Sequence, residues 1–413
     1  MGRATAPALE DLLPQLAAIA GVEHTQLRGE TVSVLPVDIH QIAAILRLAR
    51  ENGLAVTPSG NGTKMSWGNP VAPGVCLGLE RMNALREHSW QDMTCSVEAG
   101  CTWTAMQTQL ARHGQMVALD PLWPERATIG GIVATNDGGA LRLRYGGLRD
   151  LIIGMTVVLS DGTIAKTGGK VVKNVAGYDL HKLLTGSFGT LGVIADINFR
   201  LHPVEAQSRT WTAEAPDPSH FEQPLRALLD SRITASGVQI RMDAERCALD
   251  IREAATPECL DDHAAQLTQF FDPIPLCESS ASVWSARQDI FDRTGAAILK
   301  ASLLPSQICP TLSQLRQWTR TENAEIAVTA QCNGLVDIAL QAAPDAAVFL
   351  IERLRSTLCA SGGSVVALQM PAELRSRIDV WGCGSNALPL MREIKRRFDP
   401  DRILNPGRFA GNI

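Results

Sequence analysis

The sequence predicts an α+β chain of more than one domain, and three observations carry that expectation. Its 413 residues exceed what a single hydrophobic core usually organises. Near residue 32 an alternating apolar run, a capped amphipathic helix and a second apolar run follow one another as a βαβ beginning. Past Ala215-Pro216-Asp217-Pro218-Ser219 the glycine density falls, and strand-like and helix-like runs alternate as in a second α+β domain.

Residues 32–35 alternate like a strand and stop at Pro36. Asp38 is an N-cap, and Gln41 three positions on completes a capping-box pattern. Ile39, Ile42, Ile45, Leu46 and Ala49 then recur at helical spacing, Gly53 suits the C′ position, and residues 54–57 form a short strand. Thr102 opens a second helix through Trp103, Met106 and Leu110, closed by Gly114. A hairpin is expected from 151–159 and 162–167 around Ser160-Asp161-Gly162, then a helix over 178–184 and a strand over 193–201. In the second half, strands are expected at 237–241, 247–252, 326–330, 336–340 and 364–368, and helices at 221–231, 311–321 and 346–361. A last helix covers 388–398, stopped by Asp399-Pro400.

Composition narrows the function. A net charge of −5 gives no footprint for nucleic acid or an anionic membrane, so neither partner is expected. No run of about 18 apolar residues is present to span a bilayer. The start, Met-Gly-Arg followed by Glu10 and Asp11, lacks a signal-peptide core, and a cytoplasmic location follows as the expectation. Ten cysteines contain no Cys-x-x-Cys pair, so scattered core thiols are favoured over a metal or iron–sulfur site. The eight histidines form no His-x-His or His-x-x-His pair and read as surface or helix-end residues.

The first chemistry lies in Pro58-Ser59-Gly60-Asn61-Gly62-Thr63-Lys64. Glycines let successive N–H groups converge on an anion, while Thr63 adds a hydroxyl and Lys64 a positive charge, a good receptor for a pyrophosphate. The spacing is neither a Walker A loop nor a Rossmann turn. Alone, it is equally a surface turn. A second series follows: Thr128-Ile129-Gly130-Gly131, Thr135-Asn136-Asp137-Gly138-Gly139, Tyr145-Gly146-Gly147, Lys173-Asn174-Val175-Ala176-Gly177, and Gly186-Ser187-Phe188-Gly189-Thr190-Leu191-Gly192. Glycine carries the largest entropy loss on folding, so such density in strand-like sequence calls for a reason. Backbone approaching a large flat ligand is one, and tight turns in a β-rich core are the other.

The ordered series, with Asp399-Pro400-Asp401-Arg402-Ile403-Leu404-Asn405-Pro406-Gly407-Arg408-Phe409 near the C-terminus, resembles the vanillyl-alcohol oxidase/p-cresol methylhydroxylase flavoproteins, especially their 2-hydroxy-acid dehydrogenase branch. Ile378-Asp379-Val380-Trp381-Gly382 and Leu388-Pro389-Leu390-Met391-Arg392-Glu393-Ile394-Lys395 are most similar to the FAD-binding subunit type of bacterial glycolate oxidases. The resemblance implies a p-cresol methylhydroxylase-type FAD-binding domain of two α/β subdomains (1–205), a smaller α+β cap (206–375) and a C-terminal segment (376–413) returning to the flavin domain. It implies that Pro58, Ser59, Gly60, Asn61, Gly62, Thr63 and Lys64 hold the FAD pyrophosphate. It places Pro121 and the Thr128-Ile129-Gly130-Gly131 turn along the flavin, with Thr135, Asn136, Gly138 and Tyr145 nearby. Gly192, Val193 and Ile194 fall beside the adenine half, and Asn405 and Arg408 at the flavin edge.

Two departures from the family pattern matter. The first loop has no His or Cys to tether the ring, so non-covalent FAD is expected. Catalytic relatives hold a divalent metal on cap histidines, whereas the matching stretch, Ala330-Gln331-Cys332-Asn333-Gly334-Leu335, has none, and no metal site is expected. The implied chemistry is oxidation at a hydroxyl-bearing carbon, with a base for the hydroxyl proton, a cation for the carboxylate and flavin as electron acceptor. Arg142, Arg144, Arg241 and Lys300 are candidate cations, each equally a surface charge, and no base is named. The missing histidines point to a subunit of a glycolate dehydrogenase that works with a second FAD-containing subunit and an iron–sulfur subunit, in the cytoplasm or peripheral to the inner membrane through that complex. A stand-alone FAD alcohol or 2-hydroxy-acid oxidoreductase and a non-catalytic scaffold with a structural flavin are the alternatives.

Overall fold

The computed structural model describes residues 9–170, 178–205, 207–382, 384 and 386–413. Within it the chain divides into two compact units, one of residues 1–138, 147–204 and 384–413, the other of residues 139–146 and 205–383. Residues 139–146 thus go with the second unit rather than with their sequence neighbours. Mixed helix and sheet of this kind is the expected α+β class.

The first unit begins as the apolar pattern dictates. Strand Thr31–Val34 leads to helix Ile39–Glu51, whose N-cap Asp38 accepts from His40 N at 2.8 Å and Gln41 N at 2.9 Å. Gln41 Oε1 reaches back to accept from Val37 N at 2.9 Å, so donors on both sides of the cap are satisfied. The helix buries Ile42, Ala43, Ile45, Leu46 and Ala49, and Gly53 takes φ +63° just beyond its end. Strand Val56–Ser59 then pairs in parallel with Val75–Gly78, which also pairs in parallel with Thr31–Val34. A separate five-stranded antiparallel sheet includes the expected hairpin, Ile152–Val158 with Ile164–Gly168, and the strand Val193–Arg200.

Two expectations need correction. The Thr128–Gly131 region is neither a turn nor strand: Thr128 caps a helix, Ile129–Thr135, through its Oγ1 and the Gly131 N–H at 3.4 Å. Glycine in this first turn admits the close packing that the helix makes, since a Cβ on Gly130 would lie 2.9 Å from the Ala99 Cβ. The helix expected over 178–184 shrinks to His181–Leu184. Leu180 and Leu183 are exposed, so little burial supports further turns. Lys173-Asn174-Val175-Ala176-Gly177 lies outside the described residues.

The second unit is built on an eight-stranded antiparallel sheet. All five expected strands are in it, as Ala235–Asp243, Cys247–Ala254, Glu325–Gln331, Leu335–Gln341 and Ser364–Gln369. Ser208–Ala215, Leu276–Ser279 and Ala297–Ser302 complete it. Helices Glu222–Asp230, Ile308–Thr321 and Pro344–Ala360 stand where expected, while Pro257–Phe271 was not foreseen. The Pro216–Pro218 stretch is not the boundary, because Ser208–Ala215 already belongs to this sheet.

Helix Leu388–Phe398 packs within the first unit and buries Lys395. The Lys395 ammonium donates to Thr190 O at 2.8 Å, Leu404 O at 2.8 Å and Asp399 Oδ2 at 2.7 Å, which uses its three protons. Asp399 also accepts from the N–H groups of Ile403 and Leu404. The tail then runs beside the strand Val56–Ser59, with Val56 N donating to Ile403 O at 2.7 Å and Asn405 N to Val56 O at 2.9 Å. Asp399→Ala leaves a buried ammonium without its counter-charge, a loss of roughly 3–5 kcal/mol. Scanning calorimetry should show the melting transition lowered by on the order of 10 °C; an unmoved transition would show that the pair contributes nothing.

Candidate functional site

The two glycine-rich stretches line one cleft of the first unit, partly open to solvent, whose empty space, counting the solvent at its mouth, is about 660 Å³. Residues 58–65 form one wall, with Thr128, Gly130, Gly131, Ala134 and Thr135 opposite, and Phe188, Gly189, Gly192, Ile194, Leu79, Ala99 and Arg408 completing it. The loop and the helix start touch directly. A Cβ on Gly60 would fall 2.0 Å from the Thr128 Oγ1, so no other residue fits there without moving one of the two. Asn61 Nδ2 donates to Arg126 O at 2.9 Å and holds the loop to the same neighbour.

The loop is chemically equipped for an anion. Gly62 sits at φ +71°, and the N–H groups of Gly60, Asn61, Gly62 and Thr63 donate to no acceptor among the described residues. Four adjacent main-chain donors are thereby left to a ligand or water. Lys64 is arranged differently from expectation. Its ammonium turns inward to Asp137 Oδ2 at 3.1 Å, with both side chains buried, between the Trp67 and Trp123 rings at 5.7 and 5.5 Å. Its charge therefore neutralises Asp137. The other cation of the lining, Arg408, is buried, donates to Lys64 O at 3.1 Å and lies 5.7 Å from the Phe188 ring centroid. Burial lowers its pKa to about 10, so it stays charged at neutral pH.

Of the residues singled out in sequence, Pro58, Ser59, Gly60, Asn61, Gly62, Thr63, Lys64, Thr128, Gly130, Gly131, Thr135, Gly192, Ile194 and Arg408 line the cleft. Others stand behind it. Ile129 and Val193 are fully buried in the core, and Pro121 is buried before Leu122, whose N–H donates to Asp137. Asn136 is the left-handed cap ending helix Ile129–Thr135, and Gly138 packs on Leu119. Asn405 Nδ2 donates to Phe188 O at 2.7 Å and so positions the aromatic wall. Tyr145 belongs to the second unit and its hydroxyl donates to Glu205; burial and that carboxylate push its pKa up to about 12. Met65, Leu79, Ala99, Ala134, Phe188 and Gly189 also line the cleft and were not named. Phe188 and Gly189 fall in the Gly186–Gly192 series, whereas nothing local distinguishes Leu79 or Ala99 from other core residues.

The candidate cations lie in the second unit and are largely engaged. Arg241 makes a two-pronged pair with the buried Asp250 at 2.6 and 2.9 Å, and Arg144 pairs with Glu205 at 3.2 Å. Lys300 stands opposite Asp337 in strand register, and Arg142 is exposed on a short helix. Residues 331–335 form the tight turn between strands Glu325–Gln331 and Leu335–Gln341. Among the described residues no three His, Cys, Asp or Glu side chains gather to hold a metal. No described helix is long and apolar enough to cross a membrane.

Gly131 tests the cleft directly, because its Cβ would meet only the Thr128 hydroxyl at 3.2 Å. Gly131→Phe should therefore keep the native circular dichroism while the flavin absorbance per protein falls at least about tenfold. Undiminished flavin in a folded variant would place the ring elsewhere.

Residues 31–168 match the family described as "FAD binding domain", and residues 383–409 match "FAD linked oxidases, C-terminal domain". The mitochondrial D-lactate dehydrogenase [cytochrome] of Arabidopsis thaliana is 27% identical over 94% of this chain and 74% of its own length. Glycolate oxidase subunit GlcD of Bacillus subtilis (strain 168) is 35% identical over 44% of this chain and 38% of its own length. The structure of p-cresol methylhydroxylase superposes with a TM-score of 0.76 at 14% identity, over 97% of this chain and 96% of that one. The cleft's first loop and helix fall in one matched segment and Arg408 in the other. The chain therefore carries an FAD-binding domain and a C-terminal segment of the FAD-linked oxidase type, on the fold of p-cresol methylhydroxylase.

Proposed function

We propose that this chain is the FAD-binding subunit of a 2-hydroxy-acid dehydrogenase assembly that oxidises glycolate to glyoxylate. The carrying observation is the cleft itself, a run of four unclaimed main-chain donors facing a helix start so close that only glycine fits between them. In this reading the N–H groups of residues 60–63 hold the pyrophosphate, and Arg408 offsets its charge from within the wall. Leu79, Ala99, Gly130 and Gly131 exclude water from the apolar part. When bound, FAD supplies the two-electron acceptance that oxidation of a hydroxyl-bearing carbon requires. Among the described residues the cleft lining contains no His or Cys, which supports a flavin that is held but not tethered.

The 2-hydroxy-acid class follows from the D-lactate and glycolate enzymes that the chain resembles. The subunit role rests on the turn at 331–335, which lacks the histidines of catalytic relatives, and on Arg144 and Arg241 being committed to carboxylates. The proposed partners are a second FAD-containing subunit and an iron–sulfur subunit. A second reading, a stand-alone dehydrogenase, is favoured by similarity to D-lactate dehydrogenase along 94% of the chain.

Purified alone, the chain should carry FAD yet reduce a dye acceptor with glycolate or D-lactate only after partner subunits are restored. Turnover by the isolated chain would establish the stand-alone reading instead. Acid denaturation and filtration should pass all the yellow colour, and flavin left on the polypeptide would show a covalent bond.

A further inference from the structure

Behind the glycine loop lies a buried ion pair for which the proposed chemistry has no use. Lys64, at the end of the loop, sends its ammonium to Asp137 Oδ2 at 3.1 Å, and the two side chains are 4% and 0% exposed. The same carboxylate oxygen accepts from Leu122 N at 3.0 Å. Asp137 follows Asn136, the left-handed cap of helix Ile129–Thr135, and its own N–H donates to Ile132 O at 3.0 Å. One carboxylate oxygen thus joins the loop, the segment at Leu122 and the end of the helix that forms the opposite wall.

The surroundings hold this pair rigidly. The Trp67 and Trp123 rings flank the ammonium, are both buried and lie 6.5 Å apart. Trp123 takes φ +51°, a left-handed backbone that a bulky residue adopts only where its neighbours impose it. Its carbonyl accepts from Arg126 N at 2.9 Å and Ala127 N at 2.7 Å, which leads the chain directly into the Thr128 cap. On the loop's own main chain, Lys64 O accepts from Arg408 Nη2 at 3.1 Å and from Trp67 N at 3.2 Å. With Asn61 bonded to Arg126 O, the loop is tied on both sides of Gly62. Buried charges and a strained tryptophan add little net stability. What they secure is one conformation of the loop.

We propose that Asp137 is a positioning residue for the flavin. Through Lys64 it holds the loop in the conformation in which the N–H groups of residues 60–63 converge, and so sets the preference for a flavin that carries a pyrophosphate. This rests on the reading above, in which the loop takes the pyrophosphate. A loop rich in glycine samples many conformations when untied, and a ligand that must order it binds more weakly. The tie at Lys64 orders the loop before the ligand arrives. Lys64 works here as a strut and not as a charge, because the carboxylate cancels its ammonium. The two roles have opposite signs. An ammonium acting on the pyrophosphate by charge would act more strongly once Asp137 is neutralised, whereas a strut fails.

The test titrates the full chain, stripped of flavin, with FAD and with riboflavin, which has the ring and lacks the pyrophosphate. Lys64→Met combined with Asp137→Asn removes both charges, leaves the net charge at −5 and strands no buried ion. That variant should bind FAD at least about tenfold more weakly while its riboflavin affinity stays within about twofold of wild type. A merely loosened structure would lose both flavins alike. Asp137→Asn alone keeps an acceptor for Leu122 N and should also lose preference for FAD; either variant decides the matter where the other does not fold. Wild-type FAD affinity in a folded variant, tighter FAD binding by Asp137→Asn, or equal loss of FAD and riboflavin overturns the proposal. A preference for FAD that survives in both variants removes the positioning role and leaves the pyrophosphate reading standing. A wild-type chain that binds riboflavin as tightly as FAD removes both.

Discussion

Main chain at Gly60 runs so near Thr128 that one added methyl group would stand 2.0 Å from the hydroxyl oxygen, and the cleft depends on that approach. The contact fixes the separation between a loop of unclaimed N–H groups and a helix start lined by small residues. Gly130 repeats the device one layer deeper against Ala99, which lets the helix lie close on the strand Thr94–Glu98 and its continuation. Glycine here exchanges conformational entropy for proximity of backbone to backbone, and the proximity is what a flat dinucleotide needs.

The C-terminal tail is held by a different kind of force. Lys395 and Asp399 are both buried; Lys395 donates to the main chain of Thr190 and Leu404, and Asp399 accepts from the N–H groups of Ile403 and Leu404. Such a pair contributes geometry more than net stability, because desolvation offsets much of its attraction. Its geometry brings Asn405 to the Phe188 carbonyl and Arg408 to the cleft wall. The matched segments at 31–168 and 383–409 thus each contribute residues to one cleft.

Buried charge in the second unit follows the same rule. Asp250 accepts from Thr212, Gln239 and Arg241, Glu253 from Trp211 with His263 beside it, and Asp337 from Arg287. Each carboxylate has its partners inside the sheet or on the helix packed against it, as groups in a low-dielectric setting must. A charged residue in a strand of this sheet is therefore a poor guide to substrate chemistry. Arg241, attractive as a carboxylate-binding cation in sequence, is consumed by Asp250.

Local patterns in the sequence determined the α+β class, the Asp38-capped helix, the hairpin near residue 160, five strands of the large sheet and the C-terminal helix. In each, neighbouring residues carry the information, through apolar period, caps and turn chemistry. The loop at 58–64 and the glycine series were likewise visible, because unusual glycine density marks close approach wherever the partner lies. Tertiary structure alone decided that Lys64 turns from the loop to Asp137, that Tyr145 travels with the second unit and that Leu79 and Ala99 become walls. Those outcomes depend on which distant groups meet across the fold, and a buried charge takes whichever partner the packing brings within reach.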